Sequence, residues 1–303
     1  MGFLLAIIAA IFFPGIILRV KSTASGRKGP GILQPWKNIR VLLRKGSVIS
    51  TTTSYISRIA PVIYLSTILC ALLLLPFPGV PPIIAFEGDF VLFAYMLALG
   101  KFLFMLGAID SGNSFGGMGA NRKSLFSMLA EPAFFILFGS MALLTGYTSM
   151  QQIVESIQLV GYNSFIIGAL AAYVLIQIAI VETSRLPVDD PNTRNATTMV
   201  DGVMILDFSG FDLALIQIGT LLRLAMYGVL VANFLIPAGW PVLTRIALFI
   251  GVQIAFASMI GLIESFRARK KLSKNPQFII SLNVLALVAF VLVLLINFKM
   301  IGK

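Results

Sequence analysis

Long apolar runs that are almost free of charge constrain this chain more than any other feature of its sequence. Three of them, Phe90 to Ile109, Ile246 to Glu264 and Phe278 to Ile296, approach or reach the ~20 residues that a helix needs to cross ~30 Å of hydrocarbon. Only 12% of the residues are charged and 58% are hydrophobic, whereas soluble domains carry about 25% charged residues. We therefore expect an all-α, multi-pass integral membrane protein.

Eight transmembrane helices account for nearly the whole chain, so we predict a single polytopic domain over residues 1–303. The apolar opening has no basic start and no small-residue cleavage site, and we interpret it as a retained first helix rather than a signal peptide. Proline and glycine mark several of the predicted ends. The predicted spans are 2–18, 59–78, 90–109, 124–145, 163–182, 211–236, 243–265 and 277–298.

Positive charge is distributed unevenly between the predicted loops. A net charge of +11 suggests nucleic acid in a soluble protein, but in a membrane protein it more often reports topology, so no nucleic-acid partner is expected. The odd-numbered loops hold 18 of the 23 Lys and Arg residues, and the even-numbered loops hold none. By the positive-inside tendency we predict that the basic loops are cytoplasmic, that both termini face outward, and that the protein lies in the cell inner membrane.

Two cytoplasmic segments are expected to be ordered. Residues 35–46 have the pattern of a short amphipathic helix with Trp36, Ile39 and Leu43 on one face. This helix either rests on anionic lipid headgroups or forms a docking surface for a cytoplasmic subunit. The polar loop 183–210 is acidic and punctuated by proline, without an excess of basic residues, which favours a structured interface over lipid contact.

The chain lacks the residues that hold most redox centres. It has one cysteine, Cys70, and no histidine. Four-cysteine iron–sulfur ligation, haem held by histidine and zinc sites are therefore excluded for this chain alone, and no metal or cofactor site is predicted on it. Any electrons involved must travel through partner subunits.

Ionisable residues inside the predicted spans are the candidate functional groups, because each costs roughly 3 kcal/mol or more to insert. Lys101 and Asp110 are 2.5 helical turns apart, so they point to opposite faces and need partners elsewhere. Glu182 and Glu264 end two spans, with Arg185 and Arg267 three residues further on, where local ion pairs can form. The set predicted to form an ion or proton path is Lys101, Asp110, Glu131, Glu182, Arg185, Arg223 and Glu264. The alternative is that these groups only make interhelical salt bridges that fix the packing.

A glycine-rich stretch, Asp110 to Arg122, occupies the third predicted loop. Glycine at this density lets backbone approach backbone or a ligand closely. Neither a preceding strand nor a following Gly-Lys-Ser/Thr is present, so nucleotide binding is not expected.

Several motifs occur in register along the chain, namely Gly26-Arg27-Lys28-Gly29-Pro30-Gly31 with Gln34, the Asp110 to Arg122 stretch, Glu131-Pro132, and Glu182-Thr183-x-Arg185-x-Pro187-x-Asp189. Together they resemble the membrane subunit that forms the heel of respiratory complex I, the NADH dehydrogenase subunit 1-like family. The Val-Asp-Asp-Pro-x-Thr form of the fifth loop and the segment from Met204 to Leu213 are more similar to the membrane-bound [NiFe] hydrogenase and formate hydrogenlyase branch.

The resemblance implies a subunit without its own redox centre, which joins a soluble arm to ion-pumping subunits. The implied partners are an iron–sulfur small subunit and a hydrogenase-like large subunit on the cytoplasmic side, which carry iron–sulfur clusters and a NiFe centre, together with antiporter-like membrane subunits and lipid. It adds Asp189 and Asp190 to the ion-coupling set. The residues expected to contact the soluble arm are Arg27, Lys28, Gly29, Gly116, Gly117, Arg122, Asp201 and Asp207.

Two departures from the hydrogenase pattern keep a second hypothesis open. Residues 194–202 hold one acid and no histidine, and Lys123 stands where relatives carry a glutamate. The leading hypothesis is the anchor and coupling subunit of an energy-converting hydrogenase or formate hydrogenlyase, moving H⁺ or Na⁺. The alternative is a quinone-binding heel subunit without NiFe chemistry, with an amphipathic cavity between the first, sixth and neighbouring helices and quinone near Arg27 and Asp207. A free-standing transporter is disfavoured because no inverted repeat is seen.

Overall fold

The computed structural model describes residues 2–157, 162–189, 199–236, 239–267 and 274–301. Within these ranges the chain is helical, without strands, as the sequence predicts. The helices are α1 (Gly2–Ala24), α2 (Gln34–Leu43), α3 (Tyr55–Leu73), α4 (Asp89–Asp110), α5 (Ser114–Thr145), α6 (Met150–Ile157), α7 (Tyr162–Glu182), α8 (Asp201–Met204), α9 (Gly210–Leu235), α10 (Val242–Phe266) and α11 (Asn275–Ile301).

Seven of the helices in the described ranges are long and apolar enough to cross a membrane, namely α1, α3, α4, α5, α9, α10 and α11. In α7 the described apolar stretch, Ile166–Glu182, is shorter. Helix α9 is the central one, because 78% of its most apolar window is buried, whereas 28–39% is buried in the other six. The multi-pass, all-α architecture is confirmed, while the count of eight spans and their orientation stay predictions.

The odd-numbered connections meet at one end of the helix bundle, which we call the basic end. There the Asp110 carboxylate accepts hydrogen bonds from the Ser54 and Ser57 backbone N–H groups at 2.9 and 3.2 Å, joining the first connection to the end of α4. The Ser111 hydroxyl donates to the Asp207 carboxylate at 2.8 Å, which adds the segment before α9. The described parts of the first, third and fifth connections therefore lie at this end of the bundle.

The even-numbered connections meet at the opposite end. The Asn233 side chain, near the end of α9, donates to the Pro76 carbonyl at 2.8 Å. At the start of α10, the Arg245 guanidinium donates to the Pro78 carbonyl at 2.9 Å and is buried. Arg245 is thus bound to a backbone carbonyl instead of facing solvent.

The start of α5 differs from the prediction. The helix begins at Ser114, ten residues before the predicted 124, so most of the glycine-rich stretch is helical instead of a loop. Asn113 causes this early start, because its side chain accepts a hydrogen bond from the Phe115 N–H as an N-cap. The expected close backbone approach is present: a Cβ on Gly116 would lie 2.9 Å from the Ala108 carbonyl oxygen, and one on Gly119 would lie 2.8 Å from that of Val200.

The amphipathic segment predicted at 35–46 forms α2 at Gln34–Leu43, which packs on α9 and α1. Of the three apolar residues predicted on one face, Ile39 is 2% exposed, while Trp36 and Leu43 are 36% and 37% exposed. The helix is therefore anchored by Ile39 and presents a partly apolar outer surface. The short helix α6, in the fourth predicted loop, is not predicted by the sequence analysis.

Candidate functional site

Lys101, in the middle of α4, is the centre of the candidate site. Its side chain is 4% exposed, and its ammonium group bonds the Glu182 carboxylate at 2.9 Å and the Glu131 carboxylate at 3.1 Å. Glu182, the last residue of α7, is 5% exposed, so a buried cation joins two acids from different helices. A buried charge without such partners would be strongly destabilising, and the two carboxylates supply the partners that the Lys101 ammonium group needs.

Lys123 holds the next part of the site toward the basic end. Its ammonium group bonds the Glu182 backbone carbonyl at 3.0 Å, the Ser184 hydroxyl at 2.6 Å and the Asp201 carboxylate at 3.2 Å. The side chain is 5% exposed. One lysine on α5 therefore ties the end of α7 to α8, and it links Glu182 to a second carboxylate.

Arg223, in the middle of α9, completes the buried cluster. Its guanidinium lies over the Tyr64 ring at 4.9 Å from the centroid, and its nearest Glu182 oxygen is 3.9 Å away. The side chain is 2% exposed, and its Nε and one terminal nitrogen have no hydrogen-bond partner among the described residues. The tyrosine face and the carboxylate stabilise the charge only in part, because an arginine carries five N–H donors.

A second ion-paired group lies where α1, α10 and the segment after α7 meet. Arg185 bonds Glu264 at 2.7 Å, and Lys21 approaches the other oxygen of the same carboxylate at 3.5 Å. The predicted local pairs, Glu182 with Arg185 and Glu264 with Arg267, are therefore not the ones that form. The helical path ends at Glu182 and at Phe266, so a residue three positions on no longer lies above the carboxylate.

The Asp189 carboxylate binds backbone N–H groups of the polar loop. Its carboxylate accepts hydrogen bonds from the Val200 and Asp201 N–H groups at 2.9 and 3.1 Å, and it is 1% exposed. This contact folds the loop back on itself at the start of α8. Its neighbour Asp190, also predicted to belong to the ion path, lies outside the described residues.

A cavity of about 450 Å³ connects these groups. It lies between α1, α2, α9 and the loop before α8, as expected for the amphipathic cavity between the first, sixth and neighbouring helices. Its charged lining residues are Lys21, Lys101, Lys123, Arg185, Asp189, Asp201, Arg223 and Glu264. Arg27 and Asp207, near which a quinone was predicted, do not line it.

The other side of the cluster opens toward the outer surface of α4 and α5. The Glu131 side chain is 41% exposed, although it lies in the middle of α5. A small space of about 30 Å³ beside Lys101, Glu131 and Glu182 is large enough for a water molecule. The exposed carboxylate is flanked by Tyr95 and Met128, which are 62% and 76% exposed. Charged groups thus extend from the cavity to a lateral surface of the bundle.

Most of the predicted ion-path residues are brought together, but one is not. Lys101, Glu131, Glu182 and Arg223 form one cluster, and Arg185 with Glu264 borders the same cavity. Asp110 is separate: its carboxylate binds the two N–H groups at the start of α3 and so has a capping role. The expectation that Lys101 and Asp110 do not pair with each other holds.

The residues expected to contact a soluble arm divide into two groups. Arg27, Lys28, Gly29 and Asp207 are exposed at the basic end. The others make internal contacts or are less exposed: Gly116 is buried and Gly117 is partly buried, Arg122 donates to the Met199 carbonyl at 3.1 Å, and Asp201 pairs with Lys123.

Sequence reasoning missed the role of Lys123, which it treated as a loop charge and as a departure from the hydrogenase pattern. The local signal that could have revealed it is Asn113, because asparagine favours the N-cap position and so marks the start of α5. Had α5 been started there, Lys123 would have been placed nine residues inside a helix, where a lysine needs a buried partner. The part played by Tyr64 and Ser184 depends on long-range packing and has no local signal.

Comparison with known proteins identifies the relatives of this chain. The family model described as NADH dehydrogenase matches residues 1–296. Hydrogenase-4 component C of Escherichia coli (strain K12) is 30% identical over 225 residues, covering 74% of this chain and 70% of that protein. Formate hydrogenlyase subunit 4 of the same organism is 24% identical over 270 residues, covering 87% of each chain.

A solved structure shares the fold. A chain of the membrane-bound sulfane sulfur reductase, an archaeal respiratory membrane complex, superposes with a TM-score of 0.82 at 20% identity, covering 96% of both chains. The resemblance inferred from the motifs is thereby confirmed. Since the family match runs through all the predicted spans and the charged cluster between them, this chain is a multi-pass membrane protein that belongs to the NADH dehydrogenase family.

Proposed function

We propose that this chain is the membrane-anchor and coupling subunit of a complex I-like energy-converting complex of the hydrogenase or formate hydrogenlyase class. In this role it links redox chemistry in a soluble arm to translocation of H⁺ or Na⁺ across the inner membrane. The relatives named above, hydrogenase-4 component C and formate hydrogenlyase subunit 4, support the class of complex.

The observation that carries the proposal is the buried Lys101 between Glu182 and Glu131. Ionisable groups inside a membrane are costly and are retained mainly for function. Here they alternate in sign from Asp201 through Lys123, Glu182 and Lys101 to Glu131, with successive contacts of 2.9 to 3.3 Å. One step in this series, Lys123 to Glu182, is to the backbone carbonyl, so the charges of these two residues interact through space.

A change of charge at the basic end can affect the whole series because each charged group stabilises the opposite charge of its neighbour. Protonation of Glu182 would remove one of the two carboxylates that face Lys101. Lys101 would then interact mainly with Glu131, at the lateral surface, and Arg223 would lose its nearest carboxylate. The electrostatic interaction is strong because the groups are shielded from water.

The two ends of the series point to two kinds of partner. At the basic end, the exposed Arg27, Lys28 and Asp207, together with the partly apolar outer surface of α2, offer a docking site for the soluble arm. That arm carries the iron–sulfur clusters and the hydrogenase-like centre, since four-cysteine and histidine-based sites cannot form in this chain. On the α4–α5 side, Glu131 cannot face acyl chains without large cost, so an antiporter-like membrane subunit covers it.

The test is Glu182→Gln in the intact complex, reconstituted into vesicles. Because glutamine keeps the shape but cannot ionise, we expect assembly and electron transfer to persist while ion uptake driven by that electron transfer is lost. Ion uptake and electron transfer are measured on the same vesicles.

The matched control is Glu155→Gln, which makes the same chemical change on α6, where the carboxylate bonds only Gln151 among the described residues. It should leave both activities unchanged. Normal ion uptake per electron in Glu182→Gln would remove this residue from the path and contradict the proposal.

A further inference from the structure

The buried phenol of Tyr227 has no part in the roles above. Tyr227 lies on α9 and is 3% exposed. It lines the space of about 30 Å³ that also borders Lys101, Glu131 and Glu182. The charges of both carboxylates act on its hydroxyl group. Of the described residues around this space, Tyr227 alone brings a buried hydroxyl, since the other phenol, that of Tyr95, is 62% exposed.

The direct connection between the two acids is poorly suited to passing a proton. Lys101 is bonded to Glu182 at 2.9 Å and to Glu131 at 3.1 Å, so the same ammonium group stands between them. To pass a proton, this group would first have to lose its own, although the two carboxylates stabilise its charge. Transfer between Glu182 and Glu131 therefore needs a second route around Lys101.

The space beside Lys101 supplies such a route. Its volume of about 30 Å³ is enough for a water molecule, and its polar lining groups are the partners that a buried water needs. An ammonium group has three N–H donors, and the two carboxylates of Glu131 and Glu182 accept two of those of Lys101. The third is left for the water, while the Tyr227 hydroxyl can donate one hydrogen bond and accept another.

The same space is unsuited to Na⁺. A hard cation binds through several oxygen ligands, and most of the lining is hydrocarbon, including Leu97, Phe134 and Ile178. The Lys101 ammonium already occupies the position between the two carboxylates and would repel a second cation. A proton avoids both problems because it moves along hydrogen bonds without a coordination shell of its own. The geometry thus favours H⁺ over Na⁺ at this point of the series.

We propose that the Tyr227 hydroxyl, together with a water molecule in this space, transfers H⁺ between Glu182 and Glu131. Protonated Glu182 gives its proton to the phenol oxygen, the phenol proton passes to the water, and the water gives one of its protons to Glu131. The phenol and the water each end with as many protons as they had, so one proton has moved from Glu182 to Glu131. Tyr227 thereby extends the proposed coupling function, on which this role rests, and the ion transferred is H⁺.

The test is Tyr227→Phe in the intact complex in vesicles, because phenylalanine keeps the ring and removes only the hydroxyl. Electron transfer should persist, while the rate of H⁺ uptake should fall about a hundredfold, the lower end of the roughly 10²–10⁴-fold that a positioned proton-transfer group contributes. The matched control is Tyr173→Phe, on α7 at a position 47% exposed, which should leave uptake unchanged. Replacing Tyr227 by difluorotyrosine, which retains a hydroxyl, should restore uptake.

Infrared difference spectra of the complex, reduced minus oxidised, separate a proton relay from a merely structural role of the hydroxyl. In Tyr227→Phe, the redox-dependent carboxyl band that Glu182→Gln removes should persist, whereas the band that Glu131→Gln removes should be lost. A structural role would leave both bands or remove both.

The results that would overturn the relay differ from those that would contradict the coupling function. Normal H⁺ uptake in Tyr227→Phe, with uptake lost in Glu182→Gln, would overturn the relay and leave the coupling function standing. Normal uptake in both variants would contradict the coupling function itself. Uptake that requires Na⁺ and stays equally fast in Tyr227→Phe would overturn the relay in favour of Na⁺ movement. A loss that difluorotyrosine does not restore would assign the effect to packing and overturn the relay as well.

Discussion

The pairing of Lys101 with Glu182 makes a prediction that can be worked out from the structure. Lys101→Met removes the ammonium group while keeping an unbranched side chain of similar length. Glu182 is then left as a buried carboxylate, 5% exposed, whose nearest remaining guanidinium nitrogen is 3.9 Å away on Arg223. The same substitution leaves Glu131 without its cation.

Removing one partner of a buried ion pair typically costs about 3–5 kcal/mol. Arg223 and Lys123 remain near Glu182 and retain part of the favourable field, so we expect the lower end, about 3 kcal/mol, for Lys101→Met. This corresponds to about a hundredfold change in the ratio of folded to unfolded protein. Glu182→Gln should cost a similar amount, because it removes the carboxylate nearest to Arg223 and one of the two carboxylates that bind Lys101.

The double variant, Lys101→Met with Glu182→Gln, distinguishes the loss of an ion pair from a simple loss of packing. Once Lys101 and Glu182 are both neutral, the uncompensated carboxylate is gone. The double variant should therefore cost about 3 kcal/mol, well below the roughly 6 kcal/mol expected if the single losses added. The measurement is unfolding in mixed detergent micelles at increasing dodecyl sulfate, followed by circular dichroism.

Lys45→Met, in the exposed connection after α2, provides the control and should change the free energy of unfolding by less than about 0.5 kcal/mol. Strict additivity of the two single substitutions would refute the idea that these residues form one electrostatic unit. So would a loss below about 1 kcal/mol for Lys101→Met, because the ammonium would then be contributing little.

Two further substitutions test how the helices are positioned. Gly219→Leu should lower the free energy of unfolding by about 1–3 kcal/mol, because a Cβ there would lie 2.5 Å from the Tyr64 ring. The control is Gly139→Leu, which should be nearly neutral in the same denaturation assay because no atom lies within 4 Å of a Cβ at that position. Asp110→Ala should lower the free energy of unfolding by about 1 kcal/mol and speed amide hydrogen exchange at the start of α3. Asp212→Ala, the control, should leave exchange at the start of α3 unchanged. Unchanged exchange in Asp110→Ala would exclude the capping role.

The multi-pass helical architecture, and the position of the described basic connections at one end, could be predicted because both follow from local composition. A helix of ~20 apolar residues is the main way to satisfy the backbone in hydrocarbon, and the lysines and arginines mark one side. The position of α5 could not be predicted from hydrophobicity. Its first turns, from Ser114 to Lys123, contain glycine and polar residues, and Asn113 alone signals where the helix begins.

The candidate residues were identified individually, but their pairing was not. Lys101 and Glu182 are 81 positions apart, and Arg185 and Glu264 are 79 apart. Local spacing instead favoured ion pairs three residues apart, which require the helix to continue past Glu182. Such contacts depend on how α4, α7 and α10 pack, and no pattern within a single helix contains that information.

The central claim is that redox turnover changes the charge state of the cluster at Glu182. Infrared difference spectroscopy of the complex, reduced minus oxidised, measures this directly, because a protonated carboxyl has a C=O stretch that a carboxylate lacks. We predict a redox-dependent carboxyl band that disappears in Glu182→Gln and persists in Glu155→Gln. A difference spectrum that is identical in the two variants would contradict the account.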